Sequence, residues 1–569
     1  MRPSAEELLR SWLEDPAVDE ATKDELRAIA DDPREVEDRF FRDLEFGTGG
    51  LRGVMGAGTN RMNRYVIGRA TQGLAEDLLE RAGGDEAPLV VIAHDSRRNS
   101  PEFALEAACV LAANGIRVRL FRGLRPTPQL SFAVRDLGAA AGIVITASHN
   151  PPEYNGYKVY AADGGQLLPD DAKRLTARIE RVTFDRVRRL SPEEAEAQGL
   201  LQWLDEEADR RYVDAVLAQS LRPELLKGGA AEVLSIVYTP LHGAGNIPVR
   251  EALRRAGFTR VHVVAEQEKP DGAFPTVKSP NPEEREAFDL AVAQAERLGA
   301  DLVLGTDPDA DRLGVVVKNE EGRYVVLSGN QTGALIVHYL LTTLKEQGRL
   351  PANGAVVKTV VTGEMGADIA RSFGCRVFNT LTGFKYIGEK ITEFERTGEH
   401  VFLFGYEESY GYLAGTYARD KDAVVAALLA CEAAAYWKAQ GKSLYGVLLE
   451  LYERYGAYLE RLESRTLKGK DGLERIRAIM EDWRSRPPAE VAGVRVSGVE
   501  DYKDGLNGLP PENALKFLLE DGSWFCLRPS GTEPKIKVYF GVRREGLREA
   551  RDALDRLAAA VMARVDGLG

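Results

Sequence analysis

Cysteine is scarce in this sequence, with four residues among 569 and no CxxC pair. The four are Cys109, Cys375, Cys431 and Cys526. So wide a spacing argues against a disulfide framework and against a zinc ribbon. It is typical of a reducing compartment, and we expect a cytoplasmic protein.

Long apolar runs and an excess of basic residues are also missing. No segment approaches the run of about 18 apolar residues that a membrane helix needs. The opening MRPSAEELLRSWLEDP mixes charged with apolar residues, unlike a signal peptide. The formal net charge of −13 argues against a duplex nucleic-acid binder, which normally has a basic face. We therefore expect neither a membrane nor a nucleic acid as partner, whereas a small anionic substrate stays open.

Alternating strand-like and helix-like segments dominate the chain after helical residues 1–45. The apolar runs LVVIA, IRVRLF and GIVIT are separated by Ala- and Leu-rich stretches, which is the pattern of a mostly parallel sheet. The pattern restarts twice before a smaller α+β region. The sequence thus predicts an α/β protein with three related mixed-sheet domains and a smaller C-terminal α+β domain. We place the four domains at residues 1–225, 226–327, 328–452 and 453–569.

The segment ITASHNPPEYNGYKVY, residues 145–160, is the most informative. Ser148 follows an apolar strand, and the residues after it are poor candidates for continuing a strand or a helix. Ligands of parallel sheets collect at the carboxyl ends of strands, so Ser148 is predicted to be displayed there. A polar turn in which Ser148 or Asn150 caps a helix is an equally good interpretation of this segment alone. His149 does not indicate a hydrolase dyad, because adjacent side chains on a strand point apart.

The segment GTDPDADR places Asp307, Asp309 and Asp311 directly after the apolar run DLVLG. Three carboxylates in one loop, without His or Cys, suit Mg²⁺ better than zinc. An EF-hand does not fit, because Arg312 and Lys318 stand where glycine and glutamate are required. A solvated acidic turn is the alternative interpretation.

The segment RPSGTEPKIK combines basic, hydroxyl and glycine residues near the C-terminus. Such a set suits a doubly charged phosphate, since backbone amides in a turn of this kind also point at anions. An ordinary hairpin turn is the alternative. The candidate ligands are Arg528, Ser530, Gly531, Thr532 and Lys537.

The segment FGYEESYGY contains Glu407, Glu408 and Ser409, which are suited to hydrogen-bonding sugar hydroxyls. By itself it is more typical of an exposed acidic turn. Arg52, Lys158 and Lys385 are lone basic residues beside glycine and aromatic residues, and each alone suggests only surface charge. No GxSxG elbow and no GxxxxGK[ST] loop is present, which argues against serine esterases and P-loop kinases.

Taken together, the serine segment, the aspartate loop, EES and SGTEP occur in this order at the ends of successive α/β units. This arrangement closely resembles the α-D-phosphohexomutase family, to which phosphoglucomutases and phosphomannomutases belong. The resemblance runs from GTGGLRG to SGTEP and leaves out residues 1–45. It implies four domains around a central cleft that excludes water.

The resemblance also implies residue roles. Ser148 would be the phosphoserine, and it would share a Mg²⁺ ion with Asp307, Asp309 and Asp311. Arg52, His149 and Lys158 would line that centre, with Lys158 transferring the proton. Substrate contacts would come from Arg312, Thr382, Gly383, Lys385, Glu407 and Ser409, and from Arg528, Ser530, Gly531, Thr532 and Lys537 at the non-reacting phosphate.

The activity implied is an intramolecular phosphoryl transfer between glucose 1-phosphate and glucose 6-phosphate, with glucose 1,6-bisphosphate as intermediate and activator. Tyr406 before EES and Pro308 in the aspartate loop depart from the commoner GEES and DGDADR. Both are similar to the branch containing bacterial α-phosphoglucomutases and vertebrate-type phosphopentomutase. Pentose 1-phosphates, mannose phosphates and synthesis of glucose 1,6-bisphosphate are therefore the alternatives within the family.

Two other classes of protein fit these motifs less well. An aspartyl-phosphate phosphatase needs accessory lysine and acidic motifs that the sequence does not place. A catalytically silent sugar-phosphate sensor would keep its binding loops but lose the nucleophile or the metal site. Here Ser148 and all three aspartates are present. Small sugar phosphates are the expected partners, and the sequence leaves open a monomer or a small homo-oligomer.

Overall fold

The computed structural model describes residues 3–47, 49–84, 86–467, 469–530 and 535–567, without the side chains of residues 469–471. The chain divides into two compact units. The first comprises Met1–Val315, Gly388–Arg396 and Gly411–Glu432. The second comprises Val316–Ile387, Thr397–Tyr410 and Ala433–Gly569.

Three short helices precede the first sheet, as the sequence predicts for residues 1–45. They are α1 (Ala5–Glu14), α2 (Glu20–Ile29) and α3 (Pro33–Phe40). The α1 helix begins with a capping box, in which Ser4 and Glu7 bond each other's backbone N–H groups at 3.2 and 2.8 Å. Trp12 of α1 packs edge-on against Phe40 and Tyr65, so the three helices are fixed to the body of the first domain.

The first sheet has six strands in the order β1-β5-β4-β2-β3-β6. The strands are β1 (Gly50–Val54), β2 (Leu89–His94), β3 (Arg117–Phe121), β4 (Ala141–Ile145), β5 (Tyr154–Ala161) and β6 (Leu201–Leu204). The helices are α4 (Arg64–Ala82), α5 (Ser100–Ala113), α6 (Thr127–Asp136), α7 (Pro169–Ile179), α8 (Pro192–Ala197) and α9 (Glu206–Leu217). The predicted strands LVVIA, IRVRLF and GIVIT are β2, β3 and β4. They are parallel, whereas β5 is antiparallel to both β1 and β4.

In the second sheet β7 lies between β8 and β9 and runs parallel to both. Its strands are β7 (Ile236–Thr239), β8 (Val261–Val263), β9 (Leu302–Thr306), β10 (Leu313–Lys318) and β11 (Tyr324–Val326). Its helices are α10 (Pro223–Leu225), α11 (Asn246–Ala256), α12 (Ala265–Glu268) and α13 (Asp289–Leu298). The boundary between the two units falls within β10, which pairs antiparallel with β11.

In the third domain β12 lies between β13 and β14 and is parallel to both. The strands are β12 (Gly354–Thr359), β13 (Arg376–Thr380), β14 (Val401–Tyr406) and β15 (Tyr412–Ala414). The helices are α14 (Gly329–Glu346), α15 (Met365–Ser372), α16 (Phe384–Thr397), α17 (Ala423–Lys438) and α18 (Leu444–Tyr455). The Ala-rich helix expected from the sequence is α17.

The C-terminal domain is an antiparallel sheet in the order β16-β21-β20-β19-β18-β17. Its strands are β16 (Ala457–Thr466), β17 (Glu490–Val491), β18 (Val494–Asp501), β19 (Leu515–Leu519), β20 (Trp524–Pro529) and β21 (Lys535–Arg544). Its helices are α19 (Gly469–Ser485) and α20 (Leu547–Gly567). The predicted fold class, three mixed-sheet domains followed by an α+β domain, is confirmed.

The residues directly after Ser148 continue neither strand nor helix, as predicted, since 149–153 form turns. Tyr154–Ala161 then form β5, a strand that the sequence did not predict. The strand is stabilised because its alternate apolar residues, such as Tyr157 and Val159, are buried in the core of the first domain. Within the described chain, no helix is both long and apolar enough to cross a bilayer.

Candidate active site

The aspartate loop after β9 brings three carboxylates together inside the first unit. Ligand oxygens of Asp307, Asp309 and Asp311 all lie within 4.8 Å of one another, and all three residues are buried. The tight turn requires a left-handed residue, which is Ala310 with φ 49°. Asp307 Oδ1 accepts the backbone N–H groups of Asp311 and Arg312 at 3.1 and 3.0 Å. The loop is therefore ordered by its own first carboxylate.

Ser148 lies directly against this loop. Its Oγ donates to Asp307 Oδ2 at 2.7 Å, and its backbone is left-handed, with φ 52°. The side chain is not displayed to solvent as the sequence predicted, because Ser148 is only 3% exposed. The aspartate loop covers it. The serine and the aspartates thus form one continuous buried site, although they come from the ends of two different sheets.

His149 and Arg52 lie at the same serine loop. Nδ1 of His149 is 3.2 Å from Ser148 Oγ, so the expectation that the two side chains point apart is wrong. The reason is that both residues lie beyond the end of β4, where the left-handed Ser148 turns the chain. Arg52 is exposed on β1, and its Nη1 donates to Asn150 Oδ1 at 3.3 Å.

Two lysines neutralise the aspartate loop. Lys158 on β5 places Nζ 3.1 Å from Asp309 Oδ2 and 3.8 Å from Asp311 Oδ2. Lys421 places Nζ 2.9 Å from Asp311 Oδ2. Thr127 Oγ1 also donates to Asp309 Oδ2, at 2.8 Å. In both Asp309 and Asp311, the Oδ2 atom is therefore bound by ammonium or hydroxyl groups.

The three aspartates differ in their electrostatics. Burial, together with the charges of Asp309 and Asp311, raises the pKa of Asp307 well above its ordinary value. Burial by itself would raise the pKa of Asp309 as well. However, the charge of Lys158 and the hydrogen bonds of Asp307 and Thr127 outweigh burial, and the pKa of Asp309 lies below its ordinary value. The loop thus gathers three carboxyl groups in a buried site, where one of them is held closer to its neutral form.

This donor set suits a divalent cation. Oδ1 of Asp309 and Oδ1 of Asp311 are buried and have no hydrogen-bond partner among the described residues. Buried carboxylate oxygens without donors are costly unless a ligand binds them. Oxygen atoms alone, from carboxylates and a serine, match the preference of Mg²⁺ rather than of zinc. The loop could therefore hold a metal ion.

Arg312 follows the aspartate loop and lies close to it. Its Nε is 3.9 Å from Asp311 Oδ1, and its Nη1 donates to Glu283. The predicted residues Arg52, Ser148, His149, Lys158, Arg312 and the three aspartates are thus all in the first unit. Lys421 and Thr127 belong to the same cluster but were missed by sequence reasoning. Neither stands in a local motif, and only the fold brings them to the aspartates.

In the second unit, the EES segment follows β14 and is held by its neighbours. Glu407 Oε1 accepts the N–H of Gly383 at 2.9 Å, which joins EES to the predicted contact segment Thr382–Lys385. Glu408 Oε2 accepts from Thr359 and Thr362 at 3.3 and 3.1 Å. Thr382, Gly383 and Ser409 are half-buried, and Lys385 is buried with its Nζ 5.1 Å from the Tyr386 ring centroid.

Tyr406, the departure from the GEES pattern, points into the third domain. It is fully buried, and its ring fills space that two glycines leave open. A Cβ on Gly333 would lie 2.3 Å from the ring, and one on Gly366 would lie 2.2 Å from the hydroxyl. The buried tyrosine therefore anchors the start of the EES segment to the core of the third domain.

The SGTEP segment is also in the second unit. Arg528 on β20 is opposite Lys537 on β21, and its Nε donates to Glu512 Oε1 at 3.1 Å. Burial opposes the charge of Arg528, but Tyr539, Glu512 and Glu408 raise its pKa above the ordinary value. Ser530 N–H donates to the Lys535 carbonyl at 2.7 Å. Gly531 and Thr532, also predicted here, lie outside the described residues.

Four domain families of phosphoglucomutase/phosphomannomutase match the chain in order. They are α/β/α domain I at residues 43–186, α/β/α domain II at 210–322, α/β/α domain III at 328–455 and the C-terminal domain at 467–561. A phosphoglucomutase from Staphylococcus haemolyticus is 38% identical over 517 residues, which are 89% of this chain and 91% of that protein.

Two crystal structures show the same fold. The open form of parafusin, a phosphoglucomutase from Paramecium, is 18% identical with a TM-score of 0.71, over 92% of this chain and 94% of its own. A phosphoglucomutase/phosphomannomutase family protein from Burkholderia thailandensis is 20% identical with a TM-score of 0.65, over 91% and 97% of the two chains.

Proposed function

The chain belongs to the phosphoglucomutase/phosphomannomutase family and is a phosphotransferase isomerase, and we propose that its reaction interconverts glucose 1-phosphate and glucose 6-phosphate. The observation that carries this proposal is the hydrogen bond of 2.7 Å from Ser148 Oγ to Asp307 in the buried aspartate cluster. It joins a hydroxyl able to carry a phosphoryl group to a site able to hold a cation.

Ser148 is the covalent carrier in this proposal. The P–Oγ bond of phospho-Ser148 breaks as a P–O bond forms to the free hydroxyl of the sugar monophosphate, which gives a bisphosphate. The hydroxyl loses a proton and Ser148 Oγ gains one. We assign this transfer to Lys158, whose Nζ lies 3.1 Å from Asp309 Oδ2 in the same cluster. Return of the other phosphoryl group to Ser148 completes the reaction.

Asp307, Asp309 and Asp311, with Ser148, would hold Mg²⁺. When bound, this ion neutralises charge on the phosphoryl group during an in-line displacement. Arg52 and His149 lie at the serine loop, where they would contact the same phosphoryl group. Arg312 would contact the substrate beside the aspartate loop. The chain's own contribution is to keep these groups ordered in a buried site, as their hydrogen bonds indicate.

The second unit would bind the rest of the substrate. Glu407 and Ser409 would bond sugar hydroxyls, and Thr382, Gly383 and Lys385 would contact the sugar phosphate. Arg528, Ser530 and Lys537, with Gly531 and Thr532, would hold the phosphate that is not reacting. Since glucose 1,6-bisphosphate must present either end to Ser148, these residues have to accept both of its orientations. We propose this bisphosphate as intermediate and activator.

A substrate panel tests the proposal. Glucose, mannose, ribose and deoxyribose 1-phosphates are each incubated with Mg²⁺ and trace bisphosphate, and product formation is measured. We expect the highest kcat/KM with glucose 1-phosphate. A higher value with a pentose or with mannose would reassign the substrate within the family. Glucose 1,6-bisphosphate should add one phosphoryl group to the intact mass. A chain that binds sugar phosphates but turns over none of them is a sensor, and the proposal is then wrong.

A further inference from the structure

The backbone of Ser148 is held in a conformation that it would not adopt alone. Its left-handed φ of 52° brings Cβ close to the backbone, so the surroundings must stabilise it. This conformation decides where Oγ points. The groups that bind the two peptide units of Ser148 therefore control the position of the phosphoryl carrier.

Arg97 binds the serine loop from inside the first domain. Its Nη2 donates to the carbonyl of Ser148 at 2.6 Å and to that of Asn150. Its Nη1 donates to the carbonyls of Pro151 and Tyr154 at 2.8 and 3.1 Å. The guanidinium side chain is 0% exposed. One planar group thus fixes four carbonyl oxygens between residues 148 and 154.

Asp95 connects this guanidinium to the other side of Ser148. Its Oδ2 lies 3.3 Å from Arg97 Nε and accepts the hydroxyl of Thr146 at 2.6 Å. Thr146 Oγ1 in turn accepts the backbone N–H of Ser148 at 2.8 Å. The N–H and the C=O of Ser148 are therefore both held by one buried Asp95–Arg97 pair.

We propose that Arg97 is a positioning residue for phosphoryl transfer. Together with Asp95 and Thr146 it fixes the backbone of Ser148, so that Oγ stays directed at Asp307. The inference deepens the proposed function and rests on it. Within the serine loop Arg97 contacts backbone carbonyls only, so its loss should lower kcat while leaving the binding of the sugar phosphate largely unchanged.

Arg69 offers a matched control in the same domain. It also binds backbone carbonyls and a carboxylate, with Nε 2.8 Å from the Val182 carbonyl and Nη1 2.6 Å from Asp43 Oδ2. Its carbonyl contacts lie at and just after the end of α7 and do not include the serine loop. Arg97→Lys and Arg69→Lys both keep the charge but lose the planar fork that bonds several oxygens at once.

The experiment measures kcat, KM, Tm and the rate at which glucose 1,6-bisphosphate phosphorylates Ser148, read by intact mass. For Arg97→Lys we expect kcat and the phosphorylation rate to fall about 100-fold, with KM for glucose 1-phosphate changed less than about threefold. Arg69→Lys should keep kcat within about twofold at a comparable loss of Tm. Equal kcat values for the two variants would overturn the inference, as would a loss confined to KM.

A second pair keeps the test decisive if Arg97→Lys does not fold. Thr146→Val removes the hydroxyl that accepts the Ser148 N–H but keeps the shape of the side chain, whereas Thr146→Ser keeps the hydroxyl. We expect about a tenfold lower kcat for the valine variant and recovery in the serine variant. No difference between them would also overturn the inference. Wild-type protein that takes no phosphoryl group from the bisphosphate would instead contradict the proposed function, which separates the two failures.

Discussion

Lys421 Nζ lies 2.9 Å from Asp311 Oδ2, whereas Oδ1 of the same carboxylate has no hydrogen-bond partner among the described residues. Its neighbour Asp420 bonds the Tyr160 hydroxyl at 2.7 Å, which ties this segment to β5. Lys421 is also 3.2 Å from Asp420 Oδ1. The ammonium is therefore held in place next to the metal ligands, within the first unit.

Replacing this lysine should separate metal binding from phosphoryl transfer. Lys421→Met removes a positive charge that competes with the cation, so the Mg²⁺ concentration for half-maximal activity should fall, by about tenfold. The kcat should also fall, because the same charge helps to neutralise the transferred group. A Mg²⁺ titration of activity measures both. Weaker Mg²⁺ activation in Lys421→Met would contradict this, and Lys421→Arg should stay near wild type in its Mg²⁺ dependence.

Ser148→Ala should abolish turnover and leave the fold intact. The hydroxyl is the covalent carrier, so kcat should fall by roughly 10³-fold or more. Alanine fits the same backbone conformation, and we expect an unchanged circular dichroism melt. Ser279→Ala is the control, because Ser279 Oγ bonds the His149 carbonyl at 3.1 Å without reaching Asp307. Activity of Ser148→Ala within a few-fold of wild type would refute the assignment of the nucleophile.

Asp309→Asn should remove magnesium-dependent transfer. The amide is a poorer ligand for a hard cation, and it also leaves Lys158 without its nearest carboxylate at 3.1 Å. Activity should be lost at every Mg²⁺ concentration, whereas the exposed Asp289→Asn should titrate like wild type. If Asp309→Asn remains active in chelator-treated buffer, the aspartate loop is not the metal site.

Arg528→Ala should weaken binding of the non-reacting phosphate. Losing a charge-assisted contact costs about 1.5 to 3 kcal/mol, which is about 10- to 150-fold in kcat/KM for glucose 1-phosphate. The variant should also release the bisphosphate more readily, so its activity should depend more strongly on added glucose 1,6-bisphosphate. Dephosphorylated enzyme should accumulate in intact-mass spectra during turnover.

The control for Arg528 is Arg544→Ala. Arg544 lies on the neighbouring strand β21 and also pairs with a carboxylate, that of Asp521, but it is outside the SGTEP segment. We expect its kinetic constants to match wild type. Unchanged constants for Arg528→Ala, with and without added bisphosphate, would mean that the segment is a structural turn.

The sequence predicts those parts of the site in which local chemistry is distinctive. Ser148 and the three aspartates follow apolar strands, and a polar loop at a strand end is visible without any knowledge of the fold. The family prediction, which rests on four such loops in order, is confirmed. The proposed roles of the individual residues remain predictions.

Other members of the cluster depend on distant contacts. Thr127 and Asp309 are 182 residues apart, and Asp95 and Thr146 are 51 apart. A lone threonine or a lone basic residue such as Arg97 carries no local signal, because its partners are set by strand order. The burial of Ser148 was missed for the same reason, since the covering loop belongs to the next domain.

Glu460 gives the second unit a pH-dependent stability. Burial raises the pKa of Glu460 to about 7, and the charge of Glu364 adds to the shift while a hydrogen bond from Asn330 opposes it. The pKa in the unfolded chain is near 4.5. Unfolding therefore releases a proton between these values, so stability is highest below pH 4.5 for this group and decreases as pH rises through 7.

Glu460→Gln should remove this dependence, because the amide cannot ionise and can still accept from Asn330. At pH 8 we expect the variant to be more stable than wild type by about 1 to 3 kcal/mol. At pH 5 the two Tm values should nearly coincide. Thermal melts at both pH values measure this. Glu463→Gln on the same strand is the control, since its side chain is 36% exposed, and its effect should be the same at both pH values. A Tm difference for Glu460→Gln that does not change with pH would show that Glu460 is already ionised at pH 5.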